Sequence, residues 1–230
     1  MERKIHVFDN GVAVFDDHLL PSQRARYRRW NVHESEEEDL FVGLVRKIPR
    51  DGVFVDIGSA IGYYLLLAAR LRPDLDVHGV EPLEIHRQRF LENVTLNGRA
   101  AADFTLHEEA ISSADGVAPF LDDGYGSAIP RRTRAPTGKA IPTITLDHLV
   151  ERIRGRVDLC QMDVQGHEIE VLEGGAESLR TGSISIFLIG THGRRLHRGC
   201  IRRLTEDGYR ILRDVVDPKG QPDGILVARR

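Results

Sequence analysis

One stretch of the sequence places an acid and two glycines directly after a short apolar run. Asp56 is the acid, and Gly58 and Gly62 follow it before an apolar helical segment. Parallel sheets bind ligands outside the carboxyl ends of their strands, where glycine lets a ligand approach the backbone. The spacing fails the dinucleotide pattern, which requires glycine where this chain has Ala60 and Tyr63. The stretch therefore favours a ligand without a pyrophosphate but with a cationic group that Asp56 can hold.

A second acid, Glu81, follows the next predicted strand. A carboxylate there can accept hydrogen bonds from both hydroxyls of a ribose, as in dinucleotide-binding folds. Glu109 and Ala110, after the third predicted strand, fall where an adenine pocket would lie. Ribose, adenine and a cationic amino-acid tail together describe S-adenosylmethionine, which we predict as the cofactor. The predicted cofactor-binding set is completed by Ser59, Tyr63 and Pro82.

Several further segments carry a more specific pattern than the glycine bend alone. They are Val55–Tyr64, Gly79–Pro82, Asn93–Asn97, Ile144–Asp147 and Met162–Glu168. Together they resemble the FkbM family of S-adenosylmethionine-dependent methyltransferases. The resemblance implies an α/β, Rossmann-like class I methyltransferase fold, with a seven-stranded, mostly parallel sheet and helices on both faces. It also implies methylation of hydroxyl groups, often on sugars or natural products.

The chain departs from that family at two positions. Gln161 and Gln165 stand where the resemblance implies a lysine and a glutamate. One hypothesis is that these two form an ion pair in the family and were lost together, because losing one partner leaves an uncompensated charge. The departure also keeps open a non-catalytic nucleoside-binding domain as an alternative.

Methyl transfer to a hydroxyl requires a proton acceptor or a metal ion, because an alcohol is a poor nucleophile. Asp163 follows the fourth predicted strand, His167 and Glu168 lie on the turn after it, and His192 follows the fifth. We predict Asp163, His192 and His167 as catalytic residues, with Asp163 also contacting the cofactor. A divalent metal ion such as Mg²⁺, held by Asp163, Glu168 and His192, is an alternative source of activation.

The elements that must position these residues alternate between strands and helices. Strands are predicted at 53–57, 76–80, 104–106, 157–162 and 184–189. Helices are predicted at 62–71, 82–96, 146–153 and 195–206, and a helical stretch at 168–180 is interrupted by Gly174 and Gly175. This alternation favours right-handed crossovers and a parallel sheet covered on both faces. A strand near 117–121 and a terminal antiparallel pair at 209–212 and 224–228 complete the prediction.

The first 50 residues follow a different pattern. Two apolar runs flank the turn Asp9–Gly11, which predicts a hairpin. Ser35 and Glu38 have the spacing of a capping box at the start of a helix. We therefore predict two units, a hairpin-and-helix cap for the substrate at 1–50 and an S-adenosylmethionine-binding methyltransferase domain at 51–230.

Composition excludes several classes of protein. The 230 residues include 32 basic and 35 acidic side chains, and 41% are hydrophobic, which is enough for a core. The small net charge argues against general nucleic-acid binding. No apolar run approaches the roughly 20 residues that a bilayer requires, and two cysteines form no disulfide framework. We therefore expect a cytoplasmic protein without a membrane span.

The expected partner is a small molecule with a hydroxyl group, and no nucleic acid is expected. The sequence leaves open whether the protein forms a homo-oligomer. The remaining alternatives are methylation of an amine or a carboxylate of a small molecule, and methylation of RNA.

Overall fold

The computed structural model describes residues 3–120, 129, 139–219 and 221–230. The strands in chain order are β1 (Ile5–Val7), β2 (Ala13–Phe15), β3 (Val53–Ile57), β4 (Asp76–Val80), β5 (Thr105–His107), β6 (Ala110–Ser112), β7 (Gly116–Phe120), β8 (Lys139–Thr145), β9 (Leu159–Met162), β10 (Ile186–Thr191), β11 (Arg210–Val215) and β12 (Gly224–Arg229). The α-helices are α1 (Pro21–Tyr27), α2 (Ser35–Val45), α3 (Tyr63–Leu71), α4 (Glu84–Leu96), α5 (Leu146–Arg152), α6 (Glu168–Glu173), α7 (Ala176–Thr181) and α8 (Arg194–Glu206). Among the described residues, no helix is long and apolar enough to cross a membrane.

The central sheet has seven strands in the order β11-β12-β10-β9-β3-β4-β5. Neighbours from β10 to β5 are parallel, whereas β12 runs antiparallel to both β10 and β11. The predicted mostly parallel sheet and its antiparallel edge are therefore confirmed. The strand order reverses between β3 and β9, and open α/β sheets bind their ligands at such a point.

Two apolar clusters cover the two faces of this sheet. Side chains alternate between them along each strand, so that Leu188 of β10 packs in one cluster and Phe187 in the other. Helices α2, α3 and α4 pack in the first cluster, and α5 to α8 pack in the second. Helices on both faces are confirmed.

The N-terminal segment belongs to the first cluster. Phe8, Val14, Leu19 and Tyr27 are buried together with Tyr63 of α3. The segment before residue 51 therefore shares a core with the rest of the protein. Its predicted role as a substrate cap stays a prediction.

A smaller three-stranded sheet follows β5. Strand β8 pairs parallel to β6 and antiparallel to β7. The sequence predicted the β7 strand but neither β6 nor β8. Leu121, the predicted end of β7, lies outside the described residues.

The predicted capping box at the start of α2 is wrong. The helix begins at Ser35, and the residue before it, Glu34, makes no capping bond with its side chain. Glu38 instead receives hydrogen bonds from Asn10 and Tyr63. The backbone N–H that Glu38 accepts, at 3.4 Å, is that of His33 and not that of Ser35, which the predicted box requires.

Candidate functional site

The chain bends sharply between β3 and α3. Gly58 and Gly62 have φ values of +88° and +80°. A Cβ atom on Gly58 would lie 2.0 Å from the carbonyl oxygen of Asp163, so only glycine fits where the ends of β3 and β9 touch. The N–H groups of Gly58 and Ser59 both donate to the carbonyl of Val80, at 3.0 and 3.1 Å. The bend is thus attached to both neighbouring strands.

Glu81 stabilises the same bend from the end of β4. Its carboxylate accepts the N–H of Ala60 at 3.0 Å and the N–H of Leu83 at 2.8 Å. His86 Nδ1 lies 3.3 Å from it, and the side chain is almost fully buried. Each carboxylate oxygen can accept more than one hydrogen bond, so capacity for ribose hydroxyls remains.

A cavity of about 330 Å³ opens beside this bend. Its size is typical of a small-molecule site. The N-terminal segment covers part of it through Phe8, Leu19 and Tyr27. The lining includes most of the predicted site residues, namely Asp56, Gly58, Ser59, Tyr63, Glu81, Pro82, Ala110, Asp163 and His167.

Two residues of the predicted cofactor set lie outside that lining. Glu109 points toward Arg152, which donates to its carboxylate at 2.8 Å, and only its neighbour Ala110 lines the cavity. A Cβ atom on Gly62 would meet the Phe90 ring at 1.9 Å, so this glycine allows α3 and α4 to pack. A neighbouring helix thus explains why each residue lies outside the lining, α5 in the case of Glu109 and α4 in the case of Gly62.

Beside the cavity, His192 lies among carboxylates. Its Nε2 atom is 3.1 Å from Asp223 and 3.6 Å from Asp163, and its Nδ1 atom is 2.7 Å from Glu168. Asp163 and Asp223 line the cavity, and His192 lies directly beside them. His167, by contrast, is 3.0 Å from Ser112 and 3.7 Å from Glu170.

These contacts shift the pKa values of the group. Burial opposes a charge on His192, but the hydrogen bond to Glu168 and the nearby carboxylates raise its pKa to about 9. Burial raises the pKa of Asp163 to about 6, and it also raises the pKa of Asp223. With these pKa values His192 already holds a proton at neutral pH and Asp163 is mostly ionised, so Asp163 is the one of the two that can accept a proton.

The sequence analysis missed three acids near this group. Glu34 directly precedes α2, Glu37 lies in the first turn of α2, and Asp223 lies in the loop before β12. Burial raises the pKa of Glu34 well above its usual range and that of Glu37 to about 7. The only sequence signal was the acidic start of α2, which is also typical of any helix N-terminus.

The two glutamines that depart from the family pattern each contact a different carboxylate. Gln161 Nε2 donates to Glu37 at 3.3 Å, and Gln165 Nε2 donates to Asp163 at 2.9 Å. No hydrogen bond joins the two glutamines in the described part of the chain. The hypothesis of a jointly lost ion pair stays a prediction, which additive effects of Gln161→Lys and Gln165→Glu would refute.

Comparison with known proteins agrees with this geometry. The family model for the methyltransferase FkbM domain matches residues 56–211. An unspecified methyltransferase of Jannaschia sp. (strain CCS1) is 27% identical over 212 residues, which cover 80% of this chain and 75% of that protein. The hexuronic acid methyltransferase AglP of Haloferax volcanii is 26% identical over 167 residues, which cover 71% of this chain and 66% of that protein.

Solved structures confirm the fold. The methyltransferase FkbM of Methylobacillus flagellatus KT has a TM-score of 0.58 at 16% identity, and the match covers 78% of this chain but 44% of that chain. The precorrin-6y C5,15-methyltransferase of Geobacter metallireducens GS-15 has a TM-score of 0.54 at 13% identity, with 98% and 97% covered. With its matched segment, its strand order and the glycine bend at its cavity, the chain belongs to the FkbM family of S-adenosylmethionine-dependent methyltransferases, which have the Rossmann-like class I fold.

Proposed function

We propose that this methyltransferase acts on a hydroxyl group of a small molecule, either a sugar or a natural-product intermediate. The observation that carries the proposal is one cavity lined by two groups of residues with different chemistry. Asp56, Gly58 and Glu81 form one group, and Asp163 and Asp223 form the other. The first group suits a nucleoside with a cationic tail, and the second suits a group that must lose a proton.

The first group of lining residues, which is Asp56, Gly58 and Glu81, fits S-adenosylmethionine. Asp56 is 2% exposed, and burial together with the carboxylates of Asp163, Glu37 and Glu81 raises its pKa well above its usual range. A bound ammonium group would favour the charged carboxylate and relieve this cost. The cofactor supplies a methyl group attached to a positively charged sulfur.

The second group of lining residues, which is Asp163 and Asp223, would orient the acceptor and move its proton. Asp163 lies at the end of β9, where Gln165 donates a hydrogen bond to it. Its raised pKa brings it closer to neutrality, where a general base is most effective. Apolar side chains line part of the cavity and would limit access of water to the reacting groups, namely those of Phe8, Leu19 and Tyr27.

One relative and one side chain favour an acidic sugar. AglP is named for its action on a hexuronic acid, which carries a carboxylate. Arg26 of α1 lines the cavity, and its Nε atom is buried without a hydrogen-bond partner among the described residues. The guanidinium also lies 3.9 Å from Glu34, and the same Nε–H can donate to an acceptor carboxylate.

The predicted divalent metal ion and the cytoplasmic location belong to this proposal as well. Cys160 and Cys200 are buried and free, as expected in a reducing compartment. Methylation of an amine or a carboxylate remains the second candidate within the small-molecule class.

Calorimetry with S-adenosylhomocysteine tests the cofactor site. We expect the wild-type protein to bind it, and Asp56→Asn and Glu81→Gln to weaken binding by about tenfold or more, because each removes a charged hydrogen-bond partner. Asp51→Asn is the matched control, because Asp51 lies before β3 and its side chain is exposed. Equal affinity in all four proteins, or no binding by the wild type, would refute the assignment.

Turnover tests the acceptor class. Release of S-adenosylhomocysteine is measured with hexuronic acids and with neutral hexoses of the same configuration. We expect methylation of the acids, and we expect Arg26→Gln to raise KM for them more than for the neutral sugars. Turnover with amine acceptors alone would favour the second candidate.

A further inference from the structure

The acid-rich cluster beside the cavity has the spacing of a cation site. One ligand atom from each of Asp163, His192 and Asp223 lies within 4.8 Å of the others. The two measured separations from His192 Nε2 are 3.1 and 3.6 Å. Adjacent ligands of an octahedral ion at about 2.1 Å lie about 3 Å apart, so small side-chain shifts bring all three atoms onto one cation.

Glu168 orients the histidine for this role. Its Oε1 atom lies 2.7 Å from His192 Nδ1, and the side chain is fully buried. The carboxylate holds a proton at Nδ1, so Nε2, which faces the two aspartates, is the ring nitrogen that can release its proton and bind a cation in its place. The same carboxylate–histidine arrangement orients many metal-binding histidines.

Two polar atoms in this cluster are buried without a hydrogen bond. They are Oε2 of Glu168, which has no partner among the described residues, and Nε2 of His192, which lies 3.1 Å from Asp223 as an ion-pair contact without hydrogen-bond geometry. Glu168 is 0% exposed, so water does not reach it at the surface. An unpaired carboxylate oxygen in the interior is costly, and a nearby cation reduces that cost.

The charge around the cluster also favours a cation. Glu34 and Glu37 add two more carboxylates from α2, and both interact unfavourably with Asp163. The guanidinium of Arg26 is 3.9 Å from Glu34 and forms no ion pair with either aspartate of the cluster. A divalent cation at the cluster would offset this excess of negative charge.

We propose that Asp163, His192 and Asp223 bind one divalent cation of the Mn²⁺ type, with Glu168 as a positioning residue behind His192. The set replaces Glu168 of the sequence prediction by Asp223. Two carboxylates and one imidazole suit a first-row divalent ion. Its role rests on the proposed function, because a cation beside the cavity would act as a Lewis acid toward an acceptor hydroxyl.

Titration with Mn²⁺, followed by the electron paramagnetic resonance signal of the free ion, tests the site without turnover. We expect the metal-stripped wild-type protein to bind one Mn²⁺ per chain. Asp223→Asn and His192→Gln remove ligands, and Glu168→Gln removes the positioning residue. We expect each change to weaken binding by about tenfold or more, in line with the effect of losing such groups elsewhere.

The matched control is Asp217→Asn, because Asp217 lies in the same loop as Asp223 but is exposed and paired with Arg194. This variant should bind Mn²⁺ like the wild type. Circular dichroism and the affinity for S-adenosylhomocysteine, measured on every variant, show that each is folded. Asp223→Glu keeps a carboxylate and should recover part of the affinity that Asp223→Asn loses.

The outcomes separate this inference from the proposed function. If S-adenosylhomocysteine binds but Mn²⁺ does not bind stoichiometrically, the cation site is refuted and the methyltransferase assignment is unaffected. An equal loss of Mn²⁺ affinity in Asp223→Asn and Asp217→Asn also refutes the site. If Mn²⁺ binds and Asp223→Asn abolishes it while the wild type fails to bind S-adenosylhomocysteine, the cation site is supported and the proposed cofactor pocket is wrong.

Discussion

The carboxylate of Asp147 accepts the backbone N–H of Ser178 at 2.7 Å. It also accepts the N–H of Glu177 at 3.0 Å, so it binds two free donors in the first turn of α7. Thr145 accepts the N–H of His148 in the same way at the start of α5. The Thr-Leu-Asp segment, one of the more specific parts of the family resemblance, therefore caps two helices and does not line the cavity.

Asp147→Ala should lower the free energy of unfolding by about 0.5–2 kcal/mol, the usual cost of losing a helix cap. Denaturant unfolding followed by circular dichroism measures the change. Glu151→Ala, at an exposed position of α5, is the control and should stay within about 0.5 kcal/mol of the wild type. An unchanged stability for Asp147→Ala would show that water replaces the carboxylate without cost.

Glycine substitutions should have opposite effects at two positions. Gly58→Ala forces a Cβ atom against the Asp163 carbonyl at a φ of +88°, so we expect a loss of several kcal/mol or failure to fold. Gly43→Ala lies within α2 with open space around it, and should stabilise the protein by about 0.5–1 kcal/mol. Thermal unfolding of both variants checks the contrast, and a similar effect at both positions would contradict it.

Tyr63→Phe should destabilise the protein because the buried Glu38 carboxylate loses a donor. The Tyr63 hydroxyl donates to Glu38, and Asn10 Nδ2 contacts both groups at 2.8 and 2.7 Å. The expected loss is about 1–3 kcal/mol in the free energy of unfolding. A double-mutant cycle with Glu38→Gln isolates the pair, and purely additive effects would show that the two side chains do not act together.

Stability should fall in acid because of two histidines in contact. His78 Nδ1 lies 3.2 Å from His107 Nε2, and burial together with His78 lowers the pKa of His107 to about 4. As the pH falls below about 6.5, the unfolded chain binds a proton that folded His107 does not take up, so stability declines until about pH 4. Unfolding at pH 7.5 and pH 5 measures this decline.

His107→Gln should reduce that decline by about 1 kcal/mol or more, since a lost pKa difference of one unit corresponds to about 1.4 kcal/mol. His148→Gln is the control, because His148 is half-exposed at Asp115 on another part of the surface. It should leave the decline in place. The same acid sensitivity in His107→Gln and the wild type would assign the effect to other groups.

Local sequence patterns were sufficient for the parallel strands of the central sheet and for the glycine bend. Asp56 and Gly58 lie within and directly after the apolar, β-branched run of β3, Glu81 directly follows β4, and the ends of these strands meet by topology alone. The interruption of the predicted helical stretch by Gly174 and Gly175 likewise matches the break between α6 and α7. These features depend on residues that are close together in the chain. Hydrophobic periodicity and turn residues predict structure at that range. The role of Asp56, Gly58 and Glu81 in cofactor binding stays a prediction.

The sequence by itself determined the fold class and the glycine bend, because hydrophobic periodicity and glycine placement act over a few residues. Only the tertiary structure placed Glu37 against Gln161 and Asp223 against His192, since α2 and the loop before β12 approach β9 and β10 through packing. No periodic pattern encodes those approaches. Burial and neighbouring charge, which set the chemistry of a carboxylate, exist only after the chain has folded.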